Sequence, residues 1–183
     1  MKRVLLVAGV LFISVVSTAC INNFAVQELN TKAKSFIENG DYSSAVERLK
    51  SSIDLDPSAF ESYYNLAVAY TKLDDYSNAF ENYKKVIELK PEFADGYYSL
   101  AVCEENLISD IEDGDVIIDN DGKMIKNEDK KLKKMSEAEL NFLNGLKVDA
   151  VLNYEKYLSL SQNAPDKNDV LERVEELKKA DNN

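Results

Sequence analysis

Histidine and tryptophan are absent from the 183-residue chain, and proline (three), glycine (six) and cysteine (two) are scarce. Without histidine there is no imidazole to act as a base or to hold a metal. Two cysteines are too few for a disulfide framework. The shortage of glycine and proline favours long helices. Basic side chains are outnumbered 22 to 33, giving a net charge of −11. That balance excludes a general nucleic-acid binder, which needs cations to displace phosphate counterions. No glycine-rich phosphate loop, cofactor motif or flanked nucleophile accompanies the many carboxylates, so neither an enzyme nor a bound cofactor is expected. The apolar fraction of 45% is ordinary for a globular chain, and the length suits one domain.

The N-terminus reads as an address. Lys2 and Arg3 form a basic segment, Val4 to Val16 an apolar one, and Ser17-Thr18-Ala19 a small-residue stretch before Cys20. That is the build of a secretory signal peptide over residues 1–19. The cysteine after the small residues resembles the bacterial lipobox, which implies acylation of Cys20 and a lipidated tether over residues 20–25. Ser17-x-Ala19 also suits ordinary signal peptidase, and the uncharged run Val4–Ile21 reaches the lower limit of a membrane span. In the cleaved form the net charge becomes −13, because Lys2 and Arg3 are removed and no acid is. Cys103 is then the one free thiol, and it reads as a buried small hydrophobe.

The body repeats every 34 residues. Ala33 falls on Ala67 and Ala101, Tyr42 on Tyr76, Ala45 on Ala79, Ile53 on Ile87, Leu55 on Leu89 and Pro57 on Pro91. Such a period marks a solenoid. Within it the apolar spacing is helical: Tyr63, Leu66, Ala67 and Tyr70 share one face, as do Ala79, Tyr83, Val86 and Ile87. Leu73-Asp74-Asp75 is a turn between them, the alanines let paired helices approach closely, and Pro57 and Pro91 end each second helix.

These residues resemble the tetratricopeptide repeat, whose pattern is W-x2-L-G-x2-Y, then A-x3-F, then P. Residues 60–93 match as Tyr63-x2-Leu66-Ala67-x2-Tyr70, Ala79-x3-Tyr83 and Pro91. Residues 26–59 give Leu29, Lys32-Ala33, Phe36, Ala45, Leu49 and Pro57. A third unit opens as Tyr97-x2-Leu100-Ala101, but Glu104 stands in place of tyrosine and the second helix is delayed to Ala150-x3-Tyr154, with Pro165 beyond. The expected fold is all-α: a solenoid of helix-turn-helix units over residues 26–165, with two full repeats, one interrupted repeat and an insertion at about 109–146. A capping helix and tail follow over 166–183, with Val170, Leu171, Val174 and Leu177 on its apolar face.

The interruption is strongly acidic. Glu104 to Asp129 holds ten acids against Lys123 and Lys126, and Lys130, Lys131, Lys133 and Lys134 follow. Val116–Ile118 and Met124-Ile125 flank Asp119-Asn120-Asp121-Gly122, the pattern of a short hairpin. Asp119, Asp121, Gly122 and Glu128 also match part of a calcium loop, but the first ligand would be Ile117, which cannot coordinate; no metal site is expected. Leu132, Met135, Ala138, Phe142 and Leu143 suggest a further amphipathic helix, ending in a turn at Asn144-Gly145.

The resemblance implies where a partner sits, because in this family the first helix of each pair lines a concave groove. Carried over, the groove set is Asn30 and Lys34, then Tyr64, Asn65, Val68 and Lys72, then Tyr98 and Val102. Lys34 and Asn65 fit part of the family's clamp for a terminal carboxylate, but Asp95 stands where a cation is required, so a neutral or basic segment suits the groove better. Tyr63 and Tyr97 are expected to pack against neighbouring helices. The function implied is a non-catalytic interaction scaffold, exported and lipid-anchored at a bacterial envelope, facing the periplasm on the outer membrane. Its partners would be peptide or helix segments of other envelope proteins. The alternative is a small-ligand-binding accessory protein of an envelope transporter, with the ligand held by Tyr64, Tyr98 and their neighbours.

Overall fold

A computed structural model describes residues 22–119, 121–127 and 134–180. Helix α1 covers residues 22–38. It is followed by α2 (Tyr42–Leu55), α3 (Phe60–Thr71), α4 (Tyr76–Leu89), α5 (Ala94–Glu112), β1 (Val116–Ile118), β2 (Met124–Lys126), α6 (Glu137–Leu160) and α7 (Lys167–Ala180). The architecture is an all-α helical-repeat solenoid carrying one small two-stranded sheet, as the 34-residue period predicts. The segment expected to be the signal peptide, residues 1–19, and the expected lipid-bearing Cys20 lie outside the described residues.

The turns inside the repeats are built by a recurring device. Gly40 (φ 76°) and Asp74 (φ 53°) stand 34 residues apart and both adopt left-handed backbone. In each case the next residue reaches back to a carbonyl of the helix: Asp41 N–H donates to Phe36 O at 2.9 Å and Asp75 N–H to Tyr70 O at 3.0 Å. This is the Schellman closure, which satisfies carbonyls that the end of a helix leaves open. The same two aspartates then start the next helix, Asp41 accepting from Ser44 N–H and Asp75 from Asn78 N–H.

Small side chains set the helix spacing. Ala33, Ala67, Ala101, Ala45 and Ala79 are all fully buried, so the paired helices meet almost backbone to backbone. Gly96 is the extreme case: a Cβ there would sit 3.1 Å from side-chain atoms of both Phe93 and Val86. Larger side chains, among them Leu49, Leu66, Tyr70, Tyr83 and Leu100, fill the gaps between alanine contacts.

The third repeat keeps these devices and stretches them. Its first helix, α5, runs past the expected turn and ends at Gly114 (φ 77°), 40 residues after Asp74. Asp115 N–H donates to Asp110 O at 2.8 Å, the same closure again. The hairpin follows, antiparallel with Ile117 opposite Ile125. Val116 and Ile118 are buried against α5 and α6 while Ile117 faces out, as period-two alternation requires. Ala150, Tyr154 and Tyr157 then occupy the places held by Ala79, Tyr83 and Val86 in the second repeat.

Two expectations are corrected. There is no turn at Asn144-Gly145: α6 continues from Glu137 to Leu160. Leu143, Leu146, Ala150, Tyr154 and Tyr157 form one uninterrupted buried face, and Gly145 lies where an added Cβ would meet nothing within 4 Å. A solvent-facing glycine costs a helix about 1 kcal/mol, far less than that face contributes. In α7, Val170 and Val174 are buried and Leu177 is half-buried, whereas Leu171 is 43% exposed. The capping face is narrower than the sequence suggested.

Candidate functional site

The first helices of successive repeats are joined by side-chain hydrogen bonds. Asn30 on α1 donates through Nδ2 to Ser62 Oγ on α3 at 2.8 Å and to Ser52 Oγ on α2 at 2.9 Å. Asn65 on α3 donates to Asn30 Oδ1 at 3.1 Å. Further along, the hydroxyls of Tyr64 on α3 and Ser99 on α5 are 3.4 Å apart. Helices α1, α3 and α5 therefore lie side by side, and their outward positions form one continuous strip.

The structure divides the expected groove residues between that strip and its supports. Lys34 and Lys72 are exposed, and Val68 and Val102 are half-buried. Asn30 is half-buried and Asn65 is 8% exposed, their amides engaged with each other and with the serines. Tyr64 is half-buried, packed edge-on against Tyr83 and Phe93 with ring centroids 5.9 and 5.2 Å away. Tyr98 likewise leans on Tyr154 and Tyr157, at 6.0 and 5.1 Å. Both tyrosines thus wedge successive helices together and leave part of each ring toward solvent. Tyr63 and Tyr97 are also half-buried, and the Tyr97 hydroxyl donates to Pro91 O at 3.1 Å.

A groove of about 650 Å³ opens where α1 meets α3, lined by Gln27, Asn30, Thr31, Lys34, Glu61 and Asn65 among others. Most of that lining is polar. At its edge Asp56 accepts from the Ser58 hydroxyl and backbone N–H, and these bonds hold its carboxyl below the usual range. Asp95 is exposed in the first turn of α5, so the strip presents a carboxylate, not a cation, beside Ser99. Burial pushes the Tyr83 phenol up to about 12, leaving it a neutral hydroxyl.

Residues that the sequence reading passed over support the strip's far end. Arg173 on α7 pairs with Glu105 on α5 and donates to the Tyr154 hydroxyl at 3.4 Å. Ser52 and Ser62 are fully buried beneath Asn30 and Asn65. The period did carry a signal for Ser62, because it falls 34 residues before Gly96 at the other small, buried helix contact.

The calcium candidates are accounted for by turn chemistry. Asp119 Oδ1 accepts from the backbone N–H groups of Asp121 (2.9 Å) and Lys123 (2.8 Å), closing the hairpin around Gly122. Glu128 lies outside the described residues. Among the described residues no group of three His, Cys, Asp or Glu side chains is arranged to hold a metal ion. Among them, too, no helix is long and apolar enough to cross a membrane.

With this geometry in place, the comparisons agree with the repeat reading. The tetratricopeptide repeat family matches residues 60–93, and a TPR repeat model matches residues 33–74. No curated protein matches the chain significantly. Among solved structures, the chain resembles the second TPR domain of human RPAP3 in complex with HSP70 peptide SGPTIEEVD, at 15% identity over 86% of this chain and 98% of that one, TM-score 0.60. It resembles the TPR2B domain of yeast Sti1 in its pHsp70 complex at 14% identity, over 86% of this chain and 98% of that one, TM-score 0.59. The type III secretion translocator chaperone SycD of Yersinia enterocolitica is similar at 13% identity, over 86% of each chain, TM-score 0.58. At such identities the likeness is one of fold. The fold is a tetratricopeptide-type solenoid. Residues 33–93 are tetratricopeptide repeats.

Proposed function

We propose that the chain is a non-catalytic interaction scaffold that holds a peptide or helix segment of another protein along the strip formed by α1, α3 and α5. The observation that carries this reading is the strip itself: three first helices, hydrogen-bonded in series, present exposed polar and half-buried apolar side chains over a rigid base. Two of the structural neighbours are complexes with Hsp70 peptides, and a third is a translocator chaperone, which supports segment binding as the use of this fold. Glu61 and Asp95, exposed along the strip, favour a neutral or basic segment over an acidic tail. The polar lining of the α1–α3 groove favours a peptide backbone over the apolar small ligand that the transporter-accessory reading requires.

We further propose that Cys20 carries lipid and holds the scaffold on a bacterial envelope membrane, with envelope proteins as its partners. The signal-like run before Cys20 supports this. One experiment addresses both parts. Glu61→Lys with Asp95→Lys should abolish partner co-purification with little change in thermal midpoint, and Cys20→Ser should move the protein from the membrane fraction to the soluble one. Unchanged co-purification would overturn the groove, and retention on the membrane would overturn the lipid anchor.

A further inference from the structure

Glu104 occupies the place in the repeat where Phe36 and Tyr70 stand in the first two units. It is 2% exposed, at the crossing of α5 with α6. Among the described residues its carboxyl has one hydrogen-bond partner, the Asn153 amide of α6, with Nδ2 at 3.0 and 2.9 Å from its two oxygens. Among the described residues no cation touches it. From α4 it is faced by Lys84, whose ammonium lies 3.9 Å from Glu81 and 4.9 Å from the centre of the Phe80 ring. From α6 it is faced by Asp149, whose charge opposes ionisation. Its α5 neighbours are the Cys103 thiol, itself 1% exposed, and Glu105, which is paired with Arg173 of α7.

A carboxylate taken out of water without a contacting cation is far less stable than the neutral acid. One amide serves either form: Nδ2 donates to the ion, and the amide turned over accepts the acid's proton through Oδ1. Burial accordingly pushes the group from 4.5 up to about 8.

We propose that Glu104 is a proton-operated latch: as the neutral acid it holds the insertion-bearing α6 on the repeats, and losing its proton to solvent loosens that junction. This does not depend on the groove reading. Because the folded-state pKa lies above the unfolded one, the folded chain binds one extra proton between about pH 4.5 and 8. The stability this confers is complete below that window and is lost as pH rises through it.

The test uses the full chain with 13C-labelled glutamate carboxyls and, in parallel, urea unfolding from pH 5 to 9. The Glu104 signal, assigned from Glu104→Gln or by through-bond correlation if that variant does not fold, should titrate near pH 8. Titration near pH 4.5 would overturn the latch. The unfolding constant of the native chain should rise about tenfold per pH unit between pH 5 and 8 relative to Glu104→Gln; equal slopes would overturn it. Amide protection should fall in α6 before α3 and α4, and an equal loss throughout would contradict a local latch.

Discussion

Leu107 shows what single side chains contribute to this solenoid. It is fully buried on α5, in the core that also holds Ile111, Val116, Ile118, Leu143 and Leu146, and the alanine variant would leave a cavity that packed helices cannot close. Leu107→Ala should cost about 2–5 kcal/mol in urea unfolding; a loss under about 1 kcal/mol would mean the insertion does not pack on α5. Leu66, Ala67, Tyr70, Ala79 and Tyr83 were legible in the sequence, because period and helical spacing together mark their buried face; Leu107 was not, because the period sets it on Leu73, which is 43% exposed in the turn. The paired tyrosines were less legible. Adjacent pairs such as Tyr63-Tyr64 and Tyr97-Tyr98 straddle the boundary between core and groove, and a helical wheel does not reveal that Tyr64 meets Tyr83 and Phe93 while Tyr98 meets Tyr154 and Tyr157. Polar pairs across repeats, such as Asn30 with Asn65, depend on contacts between residues 35 positions apart that no local pattern encodes.

Helix ends carry the element-scale information. Asp41 and Asp75 cap α2 and α4 identically, but α6 starts with a different device. Ser136 and Glu139 form a reciprocal capping box, the Ser136 Oγ accepting from Glu139 N–H at 3.2 Å and the Glu139 carboxylate accepting from Ser136 N–H at 2.7 Å. Ser136→Ala should lower stability by about 0.5–2 kcal/mol, read as a lower thermal midpoint. An unchanged midpoint would mean that the first turns of α6 are held by packing alone. The hairpin was legible because its alternation and Asp-Gly turn are local. The length of α6 was not, because Asn144-Gly145 has the composition of a turn. Only the continuity of the buried face from Leu143 to Tyr157 decides for helix, and that is a tertiary fact.

At the scale of the whole molecule, a repeat array distributes stability over neighbour contacts and leaves one face free for a partner. The 34-residue period made that architecture readable before any coordinate. The delayed second helix of the third repeat was readable too, through Ala150 and Tyr154. The surface that the array offers is the central claim, and position-resolved photo-cross-linking in intact cells tests it most directly. A cross-linker replacing Lys72, exposed at the C-terminal cap of α3, is compared with one replacing Glu88, exposed on α4. The account predicts a discrete protein adduct from position 72 that Glu61→Lys with Asp95→Lys removes, and none from position 88. Adducts from position 88 alone, or from position 72 with equal yield in that double variant, would contradict it.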